Sequence, residues 1–271
     1  MINLKERVAV ITGGSRGNGL GMAKVLGSYG ATIALFNDIK PEKPMSGITM
    51  ENAVKELRDM GIHSKGYNVD VTEREQVESG VCEVIQDFGK IDILINNAGI
   101  ARLCKFENMT DELRDLHFNV NIIGAWNCTK AVIENMMKNK YGRIINISSV
   151  TGTVVCDSGF TAYATSKAAL IGLTKALAVE YANSGITVNA ILPGYIYTEM
   201  VQKSAEESNP VNPESILNGI ASGIPMKRLG TTEELGELAA FLASDAAGYI
   251  TGTQNIFDGG STLPETGCMG V

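Results

Sequence analysis

Tyr163 and Lys167 stand one helical turn apart in "YATSK", inside a run of small and apolar residues. On a helix that interval puts both side chains on one face. A free phenol ionises near pH ~10 and is a poor base at neutral pH, but an ammonium beside it favours the phenolate. The pair is therefore a candidate general acid/base, with Tyr163 as the group that moves the proton.

A second chemical signature lies near the N-terminus. "TGGSRGNG" follows a strand-like run and precedes the helical pattern "LGMAKVLGSYG". Glycines at 13, 17 and 19 allow a tight turn, let backbone approach a pyrophosphate and bring the N–H groups of a helix start to negative charge. Ser15, Arg16 and Asn18 complete this dinucleotide loop. The second strand ends in "ALFNDIK", where Asn37 or Asp38 would meet the adenosine ribose. A carboxylate there accepts from a 2′-hydroxyl and repels a 2′-phosphate, which favours NAD over NADP. Arg16, Lys40 and Lys43 leave NADP open, and Asp38 has an alternative reading as a solvated surface carboxylate. Asp70 and Val71 end the third strand in "YNVDVT". Asp70 could accept from the adenine amino group or serve helix initiation, where Thr72 and Glu75 fit a capping box.

Those residues need a scaffold. Valine- and isoleucine-rich runs at 7–12, 31–37, 63–69, 91–95, 142–147, 186–192 and 254–257 alternate with helical patterns, including long helices at 111–139 and 161–184. Runs apolar on nearly every residue imply strands covered on both faces, and strand-helix alternation implies parallel strands with right-handed crossovers. The prediction is a single-domain α/β fold, a doubly wound Rossmann sheet of seven mostly parallel strands with helices on both faces. Ligands of such sheets bind outside the carboxyl ends of the strands. A polar stretch at about 195–225 interrupts the alternation and reads as a mobile substrate lid.

Composition excludes several classes. A chain of 271 residues with net charge -7 lacks the basic face of a nucleic-acid binder. No apolar run suits a signal peptide or membrane span, so a cytoplasmic location is expected. The five cysteines (Cys82, Cys104, Cys128, Cys156, Cys268) are scattered and read as reduced and mostly buried. With His63 and His117 as the only histidines, both read as ordinary surface or helix positions, and neither a metal site nor a serine-hydrolase triad is expected.

"INNAGI" (95–100), "NVNIIG" (119–124) and "INISSV" (145–150) follow in order, then "AYATSKAAL" and, near the C-terminus, "GTQNIFDGG". In this set and spacing the chain resembles the short-chain dehydrogenase/reductase family over essentially its whole length. "SSVTG", "SNPVNPES" and "TGTQNIFDGGSTLPE" are similar to its UcpA-type subgroup. The resemblance implies that Tyr163 exchanges a proton with the substrate oxygen and that Lys167 binds the nicotinamide ribose. It also implies that Ser149, with Ser148 as competitor, holds the substrate oxygen, and that Asn121 opens a helix kink and joins a proton relay. Asn96, Asn97, Ala98 and Gly99 would line the cofactor cleft, with a simple turn after the fourth strand as the alternative. Pro193, Gly194, Ile196 and Thr198 would lie at the nicotinamide. The interval from Ser149 to Tyr163 is one residue longer than the family's usual one, and "GTVVCDSGF" must absorb the difference.

Val155, Cys156, Tyr195, Tyr197 and Met200 follow strand ends and are expected to line the substrate space. Arg102, after "NNAGI", either pairs with an anionic substrate or is a solvated loop or intersubunit residue. Ala125, Trp126, Ala168 and Ala169 are candidates for the helix faces that relatives pack into a homotetramer, or for packing within one subunit. The expected activity is NAD(P)-dependent interconversion of a secondary alcohol and a ketone. A hydroxysteroid or bile acid, or a polyol or keto acid, would be the small-molecule substrate. The alternatives are a 3-oxoacyl thioester reductase and a catalytically silent dinucleotide-binding regulator or scaffold.

Overall fold

Every residue is buried in β1 (Val8–Thr12), β4 (Ile93–Asn96), β5 (Gly142–Ile147) and β6 (Ile186–Pro193), as expected of largely apolar strands covered on both faces. The computed structural model describes residues 2–38 and 49–264, without the side chains of Met200, Ser204 and Glu207. Its sheet has seven parallel strands in the order β3-β2-β1-β4-β5-β6-β7. The outer members are β2 (Thr32–Asn37), β3 (Ser64–Asn68) and β7 (Gln254–Phe257). At the edges the expected apolar runs give way to partial exposure. Lys65 and Asn68 of β3 are exposed, as is Ile256 of β7.

Helices α1 (Gly17–Ser28), α2 (Met50–Asp59) and α9 (Thr232–Ala243) cover one face. Helices α3 (Arg74–Phe88), α5 (Gly124–Asn139) and α6 (Thr161–Tyr181) cover the other. Strand β1 divides its side chains between them with period two: Ala9 and Ile11 join the first core, Val8 and Val10 the second. Chain order reverses between β1 and β4, so the loops leaving these strands flank the crevice where such sheets bind ligands.

Four expectations need correction. The long helix at 111–139 is α4 (Asp111–Phe118), a π-turn at Asn119–Ile123, and then α5. The capping box at Thr72 and Glu75 does not form. Asp70 Oδ1 accepts both the Thr72 N–H (2.9 Å) and its hydroxyl (2.7 Å), and α3 starts later, with Glu73 as its N-cap. Of the described cysteines only Cys128 is buried; all four are free thiols, and Cys268 lies outside the described residues. His117 is no ordinary position, being wholly buried, whereas His63 is exposed and meets the Phe88 ring edge-on.

The stretch after β6 forms two helices, α7 (Glu199–Ser208) and α8 (Pro213–Gly223). Thr198 and Asn212 cap them, and Pro213 occupies the first turn of α8, where its missing N–H costs nothing.

Helices α1 and α9 approach closely because both carry glycine at the crossing. A Cβ on Gly21 would overlap Thr232, and one on Gly236 would come within 2.7 Å of Val25 Cγ2. Alanine gains about 1 kcal/mol over glycine in a helix interior. Overpacking costs about 1–3 kcal/mol. The overlap reaches Thr232 backbone, so packing decides the sign. Gly21→Ala is expected to lower the urea midpoint in equilibrium unfolding, despite its better helix propensity.

Candidate active site

Two loops are stapled together at the β1/β4 crevice. The Thr12 hydroxyl accepts the N–H groups of Asn97 (3.0 Å) and Ala98 (2.9 Å), and Asn97 Nδ2 donates to the carbonyls of Thr12 and Gly13 (3.0 and 3.1 Å). Gly13 takes a positive φ of 61° there, and a Cβ would stand only 3.1 Å from Asn97 Nδ2 and Ala98 Cα. A Cβ on Gly19 would overlap the Gly13 carbonyl, so the start of α1 can sit against the loop only as glycine. Ser15 N–H donates to Asn37 Oδ1 (3.2 Å), which ties the loop to the end of β2. Asp38, next in the chain, is exposed. Lys40 and Lys43 lie outside the described residues.

Asn96 turns away from the crevice. Its Nδ2 donates to Thr129 Oγ1 (3.1 Å) and Asn146 Oδ1 (2.8 Å), and Asn146 Nδ2 donates to Thr174 Oγ1 (2.9 Å). These buried side chains bind β4 and β5 to α5 and α6. Asn96 thus belongs to the packing of the sheet.

Asn121 lies in the π-turn, wholly buried. Its Oδ1 accepts from Ile100 N–H (2.8 Å), and its Nδ2 donates to Ile100 O (3.0 Å) and Ser166 Oγ (2.8 Å). Ser166 in turn donates to Tyr163 O (2.7 Å). The expected kink is present as the π-turn, which lets Asn121 reach both the loop after β4 and the first turns of α6.

Helix α6 carries Tyr163 and Lys167. Lys167 is buried, and its Nζ donates to Ile147 O (2.8 Å) and lies 5.8 Å from the centroid of the Tyr163 ring. Gly99 faces this group: a Cβ there would stand 3.3 Å from both Lys167 Nζ and Asn121 Oδ1. Ser149 acts on the Tyr163 phenol in the direction that favours its ionised form. Ser149 Oγ accepts from Thr151 N–H (3.1 Å), which leaves the serine proton to the phenol. Ser148 is committed elsewhere, donating to Lys167 O (2.7 Å). Gly152 (φ 93°) and Gly159 (φ 88°) turn the longer loop back on itself between Ser149 and Tyr163.

Burial dominates the titration of the pair. It raises the Tyr163 phenol above its ordinary value, with Ser149 opposing, and it brings Lys167 down to about 8. The chain alone therefore reverses the direction expected from the i, i+4 spacing. The ammonium points to a backbone carbonyl rather than to the phenol oxygen.

Past β6, Gly194 packs against Asp258, where a Cβ would come within 2.8 Å of Asp258 Cβ. The Pro193 carbonyl accepts from Val150 N–H (3.2 Å). Ile196 is buried and bridges to Gly230, while Thr198 Cγ2 stands 3.7 Å from the Cβ position of Gly17. Tyr195, Tyr197 and Val155 are about half exposed, and the Met200 side chain lies outside the described residues. Val71 is buried against Gly124 at the start of α5.

These residues suit a pyridine dinucleotide. No side chain caps α1, so its first N–H groups are available to phosphate. Asn18 Oδ1 is buried there without a hydrogen-bond partner, an acceptor that a hydroxyl or amide of a ligand would satisfy. The buried Lys167 ammonium has three hydrogens and, among the described residues, a single protein acceptor, leaving donors for ribose hydroxyls.

A family model described as Enoyl-(Acyl carrier protein) reductase matches residues 13–262. Oxidoreductase UcpA of Salmonella typhimurium is 50% identical over 271 residues, all of both chains. The chain belongs to the short-chain dehydrogenase/reductase family. This short-chain dehydrogenase/reductase is also 37% identical to the 3-oxoacyl-[acyl-carrier-protein] reductase of Escherichia coli K12, covering 96% of this chain and 98% of the relative. The ligand-free structure of Thermoplasma acidophilum aldohexose dehydrogenase superposes with TM-score 0.84 at 31% identity, covering 96% of each chain. It is accordingly an oxidoreductase of a family whose dehydrogenases use NAD(P). Among the described residues no helix is long and apolar enough to cross a membrane.

Sequence reasoning passed over Thr12 and Ser166 and took His117 for an ordinary surface or helix position. Thr12 and Ser166 sit inside quoted motifs, yet only the fold reveals what their hydroxyls hold.

The Lys167 ammonium is disfavoured in the folded chain, so the penalty is full below about pH 8 and fades as pH rises towards the ordinary lysine value. Ligand-free wild type is expected to gain stability relative to Lys167→Met between pH 8 and pH ~10.5. Urea unfolding of both proteins across that range checks the sign.

Proposed function

We propose that this short-chain dehydrogenase/reductase interconverts a secondary alcohol and a ketone, with Tyr163 as general acid/base. The observation that carries the reading is the convergence of Ser149, which favours ionisation of the Tyr163 phenol, with a buried Lys167 that has no carboxylate partner among the described residues. In this reading a bound nicotinamide dinucleotide supplies or accepts the hydride. Ser149 positions the substrate oxygen by hydrogen bonding. In the reductive direction Tyr163 gives its proton to that oxygen as the carbon gains hydride; oxidation reverses both transfers. Lys167 orients the dinucleotide through ribose hydroxyls, and its charge close to the ring favours loss of the phenol proton. Asn121 holds the loop after β4 and the first turns of α6 in register, which supports a relay role. A neutral phenol held high by burial suits the acid of the reductive direction.

NAD is favoured over NADP. Asn37 is engaged by Ser15 N–H, so Asp38 is the carboxylate that would repel a 2′-phosphate. Gly13, Ser15, Arg16, Gly17, Asn18 and Gly19 form the pyrophosphate side; Asn97, Ala98, Gly99, Pro193, Gly194, Ile196 and Thr198 form the nicotinamide side. Asp70 and Val71 lie towards the adenine. The substrate space lies among Ser149, Val155, Tyr163, Tyr195 and Met200, and a polyol or keto acid, or a hydroxysteroid, is its class. A second reading, 3-oxoacyl thioester reduction, is favoured by the similarity to the Escherichia coli enzyme of that name and opposed by the net charge of -7, which suits an acidic carrier protein poorly. A homotetramer is supported by exposed apolar residues on the helices relatives would pair, among them Trp126 and Val179.

A spectrophotometric screen of alcohols and ketones with both dinucleotides tests the reading, and dinucleotide binding without turnover on any substrate would favour the silent regulator. Tyr163→Phe is expected to lower kcat by about a thousand-fold while dinucleotide binding, followed by fluorescence, persists; retained turnover removes Tyr163 from the role. Asp38→Ala is expected to raise the kcat/KM with NADP relative to that with NAD. An unchanged ratio moves discrimination elsewhere.

A further inference from the structure

The segment leaving β4 is pinned at alternate residues. Ile100 N–H donates to Asn121 Oδ1 (2.8 Å), Arg102 N–H to His117 Nε2 (3.1 Å) and Cys104 N–H to Gly159 O (3.0 Å). His117 is fully buried, and its Nδ1 stands 2.8 Å from Leu113 O. A ring that accepts at Nε2 and donates at Nδ1 is a neutral imidazole with both nitrogens used. His117 and Asn121, one turn apart, thus grip the same segment.

That segment begins at Gly99, whose Cβ position lies 3.3 Å from Lys167 Nζ. Three residues on, it presents Arg102, exposed to solvent. Every other arginine except Arg16 has an acceptor. Arg7 pairs with Asp92, Arg74 with Glu78, Arg114 with Asp111 and Arg143 with Asp245. Arg228 pairs with Glu234, and Arg58 donates to Ser64 O. Arg16 belongs to the glycine loop. Among the described residues, then, the two guanidiniums without a partner both follow strands at the ligand-binding end of the sheet. The chain has 30 acidic residues against 23 basic ones, so a shortage of carboxylates does not explain this. Around Arg102 the exposed side chains are mixed: Leu103 and Phe106 with Lys105 and Glu107 on its own loop, Val154 and Val155 with Asp157 on the loop joined to it through Gly159, and neither carboxylate pairs with the guanidinium.

We propose that Arg102 binds a carboxylate on the substrate, and that His117 is its positioning residue. The substrate class is then a keto acid or hydroxy acid whose reacting carbon lies at Tyr163 and whose carboxylate reaches the guanidinium fork. This rests on the oxidoreductase reading above. His117 acts through the backbone of residue 102: with its acceptor removed, the loop can still fold but presents the cation less accurately.

Matched keto acids and their amides, assayed with NADH and NADPH, test it. Wild type is expected to prefer an acid to its amide by about ten- to a hundred-fold in kcat/KM. Arg102→Gln is expected to collapse that ratio through KM, and Arg102→Lys to keep part of it. His117→Phe should lower the ratio, while His117→Gln, which can place an acceptor near the former Nε2, should restore it. A wild-type preference for amides, a ratio unmoved by Arg102→Gln, or turnover of other alcohols but of no acid overturns the inference and leaves the oxidoreductase reading standing. Dinucleotide binding without turnover of any acid, amide or alcohol overturns that reading itself.

Discussion

One carboxamide joins the parts on which the site depends. Asn121 is fully buried, and its three hydrogen bonds reach two elements distant in sequence: the loop after β4, through both polar atoms of Ile100, and α6, through Ser166. A buried amide left unpaired would cost about 1–3 kcal/mol, so this network is strongly held to one arrangement. Ser166 extends it to the Tyr163 carbonyl. The backbone bearing the phenol and the backbone flanking the dinucleotide crevice are thereby set relative to each other by side chains rather than by sheet ladders alone.

Electrostatics adds a second constraint. Burial drives both members of the tyrosine-lysine pair towards their neutral forms, in opposite directions on the pH scale. The protein builds a dry pocket first and leaves the charge balance to whatever enters. A buried lysine with one backbone acceptor and no acid partner among the described residues is costly in isolation. That cost is consistent with a site organised around a bound molecule rather than around the free chain.

Much of this is legible in the sequence alone. Strand positions follow from runs that must be covered on both faces, and the predicted strands lie within two residues of those observed. The glycine loop and Tyr163 with Lys167 were legible because turn geometry and helical spacing are local. What escaped were properties of the assembled chain. His117 looks like any helical histidine until the loop carrying Arg102 folds back on it. Thr12 looks like a strand end until Asn97 and Ala98 arrive from a distant strand. The tyrosine-lysine spacing predicts proximity but not direction: the ammonium donates to the Ile147 carbonyl and stands 5.8 Å from the centroid of the phenol ring. The Thr72 cap gives way to a local turn, in which Asp70 Oδ1 accepts both the Thr72 N–H and its hydroxyl and α3 starts one residue later.

The π-turn at Asn119–Ile123 is, in effect, one residue too many for a regular helix. That surplus sets the phase between α4, which carries His117, and α5, whose Val132 and Met136 lie in the core. The loss of one residue there would let the two halves join as a regular helix, and the wide turn from which Asn121 reaches both Ile100 and Ser166 would be gone. Natural variation within this segment should therefore take the form of exchanged side chains at constant length, and the bulge acts as a fixed gear tooth between a binding element and a packing element.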